Sequence, residues 1–488
     1  MAQLSAGAGQ ASGYRQDRYD CQETFPWKYW ARLRPQTIAI RSGSQLISWQ
    51  QLATDIDNLA SGFQQQGVMP GSGVVLRGKN SYSQLLAYLA ALQCAARVLP
   101  LNPQLPEALL VPLLASLDID FILNLADPLP ASFTFTPLTL CTHPPAAEIP
   151  AWESQRLATM TLTSGSSGLP KAAVHTIAAH LASADGVVKL MNFTAADSWL
   201  LSLPLFHVSG QGIVWRWLSV GATLVVQTGV ALSDALAGCS HASLVPTQLW
   251  RLLEKTNNPL SLKDVLLGGA AIPTTLTEQA EARGIRCWCG YGLTEAASTV
   301  CAKRADGQPG VGAALAGRQV KLVEDEVWVK ADCLAAGYWQ QGQLQPLADA
   351  DGWFHTRDRG VWQQGELHIL GRLDNLFFSG GEGIQPEAIE RVLLQYPAIQ
   401  QAFVIPVADT EFGHRPVAVI DAEVAVDEMT LADWLAPQLA VFQRPVAFYR
   451  LPEELKTGGI KISRRLVAQF VEKLTGQQRK IEKPQISD

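Results

Sequence analysis

The chain has 488 residues, with 38 lysines and arginines against 44 aspartates and glutamates, for a net charge of −6. Apolar residues make up 48% and charged residues 17%, enough for a sizeable core, which excludes wholesale disorder. The acidic balance excludes a nucleic-acid binder built on a broad basic face, and the length fits roughly three domains, or one large and one small.

Residues 1–22 are small and polar. They lack the apolar stretch of a secretory leader and read as a flexible tail. A helix is expected over 83–95 and a short strand over 97–101. The greasiest run, 85–98, contains Gln93 and Arg97, and the next, 109–125, is broken by Asp118 and Asp120. Neither suits an integral membrane segment, and both read as buried helix and strand. A strand over 159–163 enters a glycine-rich turn, and a helix is expected over 172–190. A strand over 222–226, an amphipathic helix over 247–255 and a buried strand over 265–267 follow. The last ends on Gly268-Gly269-Ala270-Ala271. This alternation predicts an α/β fold of layered, largely parallel sheets.

Between 320 and 329 the period changes. Val320, Leu322, Val327 and Val329 alternate around Glu324-Asp325-Glu326, which predicts a hairpin. A boundary is expected at Gly371-Arg372-Leu373-Asp374. Beyond it the pattern predicts helices over 386–394 and 431–441 and strands over 402–406 and 417–420. That is a small α+β domain of about 110 residues. The expected organisation is a tail, 1–22, a large N-terminal domain, 23–373, and a small mobile C-terminal domain, 374–488.

The eight cysteines, Cys21, Cys94, Cys141, Cys239, Cys287, Cys289, Cys301 and Cys333, form no CxxC pair. Cys287 and Cys289 would share one face of a strand. Buried structural thiols and a reducing cytoplasm are expected.

The most informative segment runs Thr163-Ser164-Gly165-Ser166-Ser167-Gly168-Leu169-Pro170-Lys171. Glycines admit an oxyanion close to the backbone, hydroxyls and free N–H groups donate to it, and lysine adds charge. It is not a Walker A loop, which requires Gly where Pro170 stands and Ser or Thr where Ala172 stands. Phosphate binding is the expectation.

This segment resembles the signature of the adenylate-forming superfamily, which includes acyl-CoA synthetases, luciferases and peptide-synthetase adenylation domains. Four further motifs agree in order. Gly290-Tyr291-Gly292-Leu293-Thr294-Glu295 resembles the Tyr-Gly-x-Thr-Glu motif. Thr356-Arg357-Asp358 resembles Thr-Gly-Asp, with Arg in place of Gly. Gly371-Arg372-Leu373-Asp374 resembles the hinge motif, and Lys461 the late catalytic lysine. The stretches 204–218, 242–253, 290–303 and 377–387 are most similar to acid–CoA ligases whose acid carries a second, unreacted carboxylate.

The resemblance implies an AMP-forming acid–thiol ligase that uses ATP, Mg²⁺ and coenzyme A, on a large domain hinged to a small one. Its partners would be these small molecules and a dicarboxylic acid, and the chain is compatible with a homo-oligomer. Ser164, Ser166, Ser167 and Lys171, with Thr163, Gly165 and Gly168 shaping the loop, would grip the pyrophosphate. Thr294 would donate to the α-phosphate, and Glu295 would hold the metal. Asp358 would accept both ribose hydroxyls, with Arg372 beside it. Gly269, Ala270 and Ala271 would form a ledge for adenine, with Tyr291 as stacking face and Gly292 beside it. Tight strand-to-helix packing explains those glycines equally well. Lys461 would meet the carboxylate and phosphate oxygens during adenylation. Ile460 stands where the family has Gly, which makes Lys456 its competitor. Asp374 would be the hinge.

For the acid, His207, Ser209 and Arg216 are the candidates, with an arginine suited to a second carboxylate. An arginine snorkelling between Trp215 and Trp217 is the alternative. His175 could cap the helix after the phosphate loop. The other histidines have no metal-ligand spacing and read as structural or exposed.

Overall fold

The computed structural model describes residues 24–129, 135–145, 149–163, 170–255, 261–422, 426–456 and 462–481. Two large sheets dominate them. The first has a parallel centre of Leu157–Thr163, Arg97–Leu101, Gly73–Arg77, Phe121–Asn124 and Thr136–Leu138. Its other edge is antiparallel: Lys171–Thr176, Gly337–Gln340 and Gln343–Pro346. The second sheet runs parallel through Arg286–Leu293, Asp264–Leu267, His241–Leu244, Ser198–Leu200, Thr223–Val226 and Ile38–Ser42. Antiparallel strands close both of its edges.

One apolar core joins the two sheets. Leu76 and Val98 of the first and Trp199 and Leu224 of the second belong to the same packed cluster. Helices fill the space between, among them Trp49–Gln65, Tyr82–Gln93, Ile177–Met191 and Val208–Val220. Trp27, Trp30, Trp49, Trp199, Trp215 and Trp217 are fully buried there. The α/β reading, with largely parallel sheets, therefore holds. Among the described residues no helix is long and apolar enough to cross a membrane.

One expected helix is partly a strand. Lys171–Thr176 pairs with Leu157–Thr163 on one side and Gly337–Gln340 on the other. The helix begins only at Ile177, where the Thr176 hydroxyl accepts the Ala179 N–H at 3.0 Å. Ala172, Ala173 and Val174 are buried between two partner strands, and this pairing overrides their local preference. The cap is thus Thr176 and not His175, which points into the core.

The hairpin is as read: Arg318–Val323 pairs with Glu326–Ala331, with Val320 opposite Val329 and Leu322 opposite Val327. Glu324 and Asp325 both have positive φ, +49° and +66°, as a two-residue hairpin turn requires. This pair extends into a four-stranded sheet with Phe354–Gln363 and Glu366–Arg372.

From Phe377 onward the chain has apolar clusters of its own on both faces of a three-stranded sheet. The sheet comprises Ile399–Asp409, Gly413–Ala422 and Phe448–Arg450. The helix expected over 431–441 is instead Glu428–Leu435. Pro437 has no N–H for a further turn, so the helix stops before it.

Candidate active site

The chain ends of the two large sheets and the four-stranded sheet gather most of the expected residues. Thr163 and Lys171 are cross-strand partners, so the two strands that flank the candidate phosphate loop pair antiparallel. Ser164, Gly165, Ser166, Ser167 and Gly168 lie outside the described residues. Lys171 Nζ stands 5.2 Å from the centre of the Tyr338 ring, and the Tyr338 hydroxyl donates to Glu295 Oε1 at 2.7 Å. Tyr338 therefore links the phosphate lysine to the candidate metal carboxylate. Burial first, and the Glu295 carboxylate second, hold the Tyr338 phenol above its ordinary pKa, so it stays a donor.

Thr294 and Glu295 lie in a single 3₁₀ turn, Thr294–Ala296, after the Arg286–Leu293 strand. The Glu295 carbonyl accepts the Ala335 N–H at 2.7 Å, which fixes the turn. Gly292 is obligatory: a Cβ there would overlap the Ser298 carbonyl. Behind this turn sits the fully buried His175. Burial lowers its imidazole to about 4, against the Thr294 and Glu295 backbone, which pulls the other way. His180, 5.0 Å from it ring to ring, is also held neutral by burial and stacks on Trp215.

The ribose and adenine candidates come together. Asp358, 7% exposed, accepts the Tyr291 hydroxyl at 2.6 Å. It also faces Arg372 Nη1 at 3.2 Å. Strand register explains that pair, because Asp358 and Arg372 are direct partners across the antiparallel ladder. Burial first, then Asp358, keeps the Tyr291 phenol well above its usual pKa. Gly269, Ala270 and Ala271 form an exposed ledge at the end of the buried Asp264–Leu267 strand, and Gly269 needs its φ of +81°. Arg357, where the superfamily has glycine, sits at φ +62° and bonds Asp374 at 2.9 Å.

His207 is the N-cap of the Val208–Val220 helix. Ser209 and Arg216, seven residues apart, share one helix face, and His207 lies round the other side. Arg216 is only 1% exposed. Its Nη1 reaches Ser243 Oγ at 3.4 Å and its Nη2 reaches Ser298 Oγ at 3.3 Å. Nε has no partner, and among the described residues no carboxylate pairs with this guanidinium. It does not snorkel to solvent. Burial first, and Arg318 second, pull it down to about 9. A Cβ at Gly212 would sit 3.2 Å from Arg216 Nη2, so this mid-helix glycine, worth ~1 kcal/mol against alanine, makes room for the guanidinium.

A buried cation without a counter-ion is costly, and a ligand carboxylate would relieve it. Ser243, Ser298 and Tyr338 escaped the sequence reading. Each is an ordinary residue whose role depends on a neighbour far along the chain, and no local pattern marks it.

Lys461 lies outside the described residues. Its competitor Lys456 is held at 2.7 Å by Asp421 and 2.6 Å by Glu453 within the C-terminal sheet region, and so is already neutralised. Cys287 and Cys289 are both buried on one strand, as expected. Burial pushes their thiols up to about 12 and about 11.

Comparison with known proteins bears on the family and the fold. The family model described as AMP-binding enzyme matches residues 27–339. A 2-succinylbenzoate–CoA ligase of Salmonella typhimurium strain LT2 is 57% identical over 449 residues, 92% of this chain and 98% of that protein. Its counterpart from Escherichia coli K12 is 56% identical, with the same coverage. A variant of E. coli MenE with bound OSB-AMS superposes with a TM-score of 0.88 at 55% identity, covering 93% of this chain and 99% of the other. Bacillus subtilis MenE in complex with the acyl-adenylate intermediate OSB-AMP gives 0.79 at 26% identity, covering 87% and 94%. The fold is that of the adenylate-forming enzymes. By that match and by these relatives, the chain belongs to the AMP-binding enzyme family.

Proposed function

We propose that the chain ligates 2-succinylbenzoate to coenzyme A at the expense of ATP, through an acyl-adenylate, in menaquinone biosynthesis. The acid's carboxylate attacks the α-phosphate of ATP and pyrophosphate leaves. The CoA thiol then attacks the acyl carbon and AMP leaves. The first step brings two anions together, so charge must be neutralised in a fixed in-line geometry.

Lys171 and the Ser164, Ser166 and Ser167 hydroxyls would hold the departing pyrophosphate, with Thr294 on the α-phosphate. Glu295 keeps Oε2 free of the Tyr338 bond, and one carboxylate plus phosphate oxygens suits Mg²⁺. Bound there, the metal would supply charge neutralisation. Asp358 and Arg372 would take the ribose, and the 269–271 ledge with Tyr291 the adenine. Lys461 would serve adenylation from a C-terminal domain, 374–488, that swings about Asp374 to admit CoA. Contrary to the expectation of buried thiols throughout, Cys141 is exposed, but all seven described cysteines are free of disulfides, which supports a cytoplasmic location.

The observation that carries the substrate assignment is Arg216, a buried guanidinium with no carboxylate of its own among the described residues. In this reading it binds the ring carboxylate, which stays unreacted. The experiment is ATP-dependent thioester formation across a panel of mono- and dicarboxylates. Preference for 2-succinylbenzoate is expected. Equal use of monoacids would instead indicate a broader acyl-CoA ligase.

A further inference from the structure

A second buried guanidinium stands beside Arg216. Arg318 is 7% exposed, at the start of the Arg318–Val323 strand. All three of its nitrogens donate to backbone carbonyls: Nε to Thr299 at 2.9 Å, Nη1 to Ala316 at 2.7 Å and Nη2 to Ser183 at 2.9 Å. No carboxylate pairs with it among the described residues. A Cβ at Gly186 would collide with its Nη1, so the Ile177–Met191 helix carries a glycine where Arg318 enters. Gly212 makes the same allowance for Arg216 one helix away. Two helices thus each give up a side chain to admit a buried cation.

The two arginines meet at one strained turn. Ala297 and Ser298 have φ values of +50° and +112°, which L-residues rarely adopt. Ser183, whose carbonyl accepts from Arg318, donates its own hydroxyl to the Ala297 carbonyl at 2.7 Å. Arg318 holds the Thr299 carbonyl, two residues further on. Ser298, clamped between them, turns its hydroxyl to Arg216 Nη2. Arg216 also feels the charge of Arg318.

We propose that Arg318 is a positioning residue for the acid substrate. It clamps the left-handed Ala297–Ser298 turn so that Ser298 aims Arg216, and it adds a second buried positive charge behind that arginine. The unreacted carboxylate is then read by an arginine pair of which only Arg216 touches it. This rests on the assignment of Arg216 to that carboxylate. A single buried guanidinium would be satisfied by one carboxylate and leave little field beyond it. Two raise the cost of an empty pocket and of a neutral occupant, which sharpens discrimination against monoacids.

The test compares Arg318→Met, Arg318→Lys, Ser183→Ala and Arg216→Met. Each is assayed with 2-succinylbenzoate and with the analogue lacking the ring carboxylate, with thermal midpoints recorded. Arg318→Met should raise KM for the diacid about tenfold or more, with KM for ATP within about twofold and kcat within about threefold. The analogue's KM should barely move. Arg318→Lys should fall between, because it keeps the charge but not the three carbonyl bonds. Ser183→Ala should raise the diacid KM in the same direction by a smaller factor, and it carries the test if Arg318→Met does not fold. Equal losses for diacid, analogue and ATP would make Arg318 merely structural and overturn the proposal, as would an unchanged diacid KM in Ser183→Ala and Arg318→Lys. If Arg216→Met shows no diacid-selective loss, the pocket assignment itself fails and the proposal with it. A selective Arg216→Met beside a non-selective Arg318→Met overturns the proposal alone.

Discussion

Arg357 holds Asp374 with an Nη2–Oδ1 bond of 2.9 Å while its own backbone sits at φ +62°. A left-handed backbone costs a non-glycine residue roughly 1–2 kcal/mol. An exposed ion pair such as this one returns only ~0–1 kcal/mol. Arg357→Gly should therefore keep or raise the thermal midpoint. It should also free Asp374 from one of its two arginines, the other being Arg372 at 3.8 Å. If Asp374 is the hinge, the thioester half-reaction should change while adenylation stays within about twofold. Single-turnover assays of the two steps check this. An equal change in both would locate Arg357 in the nucleotide site.

Lysine choice separates two positions five residues apart. Lys461→Ala should abolish most adenylation and spare thioester formation from pre-formed acyl-adenylate, because only the first step must neutralise two anions. Lys456→Ala should leave both half-reactions near wild type. It should instead cost stability, about 1–3 kcal/mol, because it strands the buried Asp421 carboxylate. Loss of adenylation in Lys456→Ala would reverse the assignment.

Arg216 should set substrate choice. A charge-assisted hydrogen bond is worth about 1.5–3 kcal/mol, or roughly ten- to 150-fold in affinity. Arg216→Ala should weaken 2-succinylbenzoate by that factor and leave ATP binding nearly unchanged. Arg216→Lys should recover part of it, since lysine lacks the planar fork that also spans Ser243 and Ser298. A cycle of enzyme variant against substrate carboxylate gives the coupling, and a value near zero would point to Ser209 or His207 instead.

Acid should unfold the protein through its neutral histidines. His175 is lowered from 6.5 to about 4, chiefly by burial, so below pH 6.5 the unfolded chain takes up a proton that the folded chain refuses. Its contribution is complete above pH 6.5 and is lost as pH falls toward 4, about 2 kcal/mol of it by pH 5. His180, also lowered by burial, acts in the same direction. Unfolding midpoints of wild type and His175→Gln between pH 5 and 7 measure this. The variant should show the shallower slope, and an unchanged slope would exclude His175 as a source.

Much of the proposed nucleotide site was legible from residue order alone. Close approach of backbone to an anion demands glycine and small hydroxyls at fixed local spacing, as in 163–168. The Tyr291–Glu295 run and the Thr356–Asp358 run are equally local. Their strands then bring them together, and the Asp358–Arg372 register needs only one hairpin. The hairpin turn at Glu324–Asp325 was equally readable, because its apolar alternation is uninterrupted on both sides.

Other features depended on partners remote in sequence. Ala172, Ala173 and Val174 suit a helix or a strand, and only pairing with Gly337–Gln340 decides for strand. Tyr338 reaches Glu295 across 43 residues, and Ser298 reaches Arg216 across 82. Residue order and spacing determined the family of chemistry, because the motifs that carry the resemblance are short and contiguous. Tertiary structure alone decided that Arg216 is buried without a counter-ion and that Arg318 stands behind it. The cost of a buried charge depends on what surrounds it in space, and those neighbours come from three separate stretches of chain.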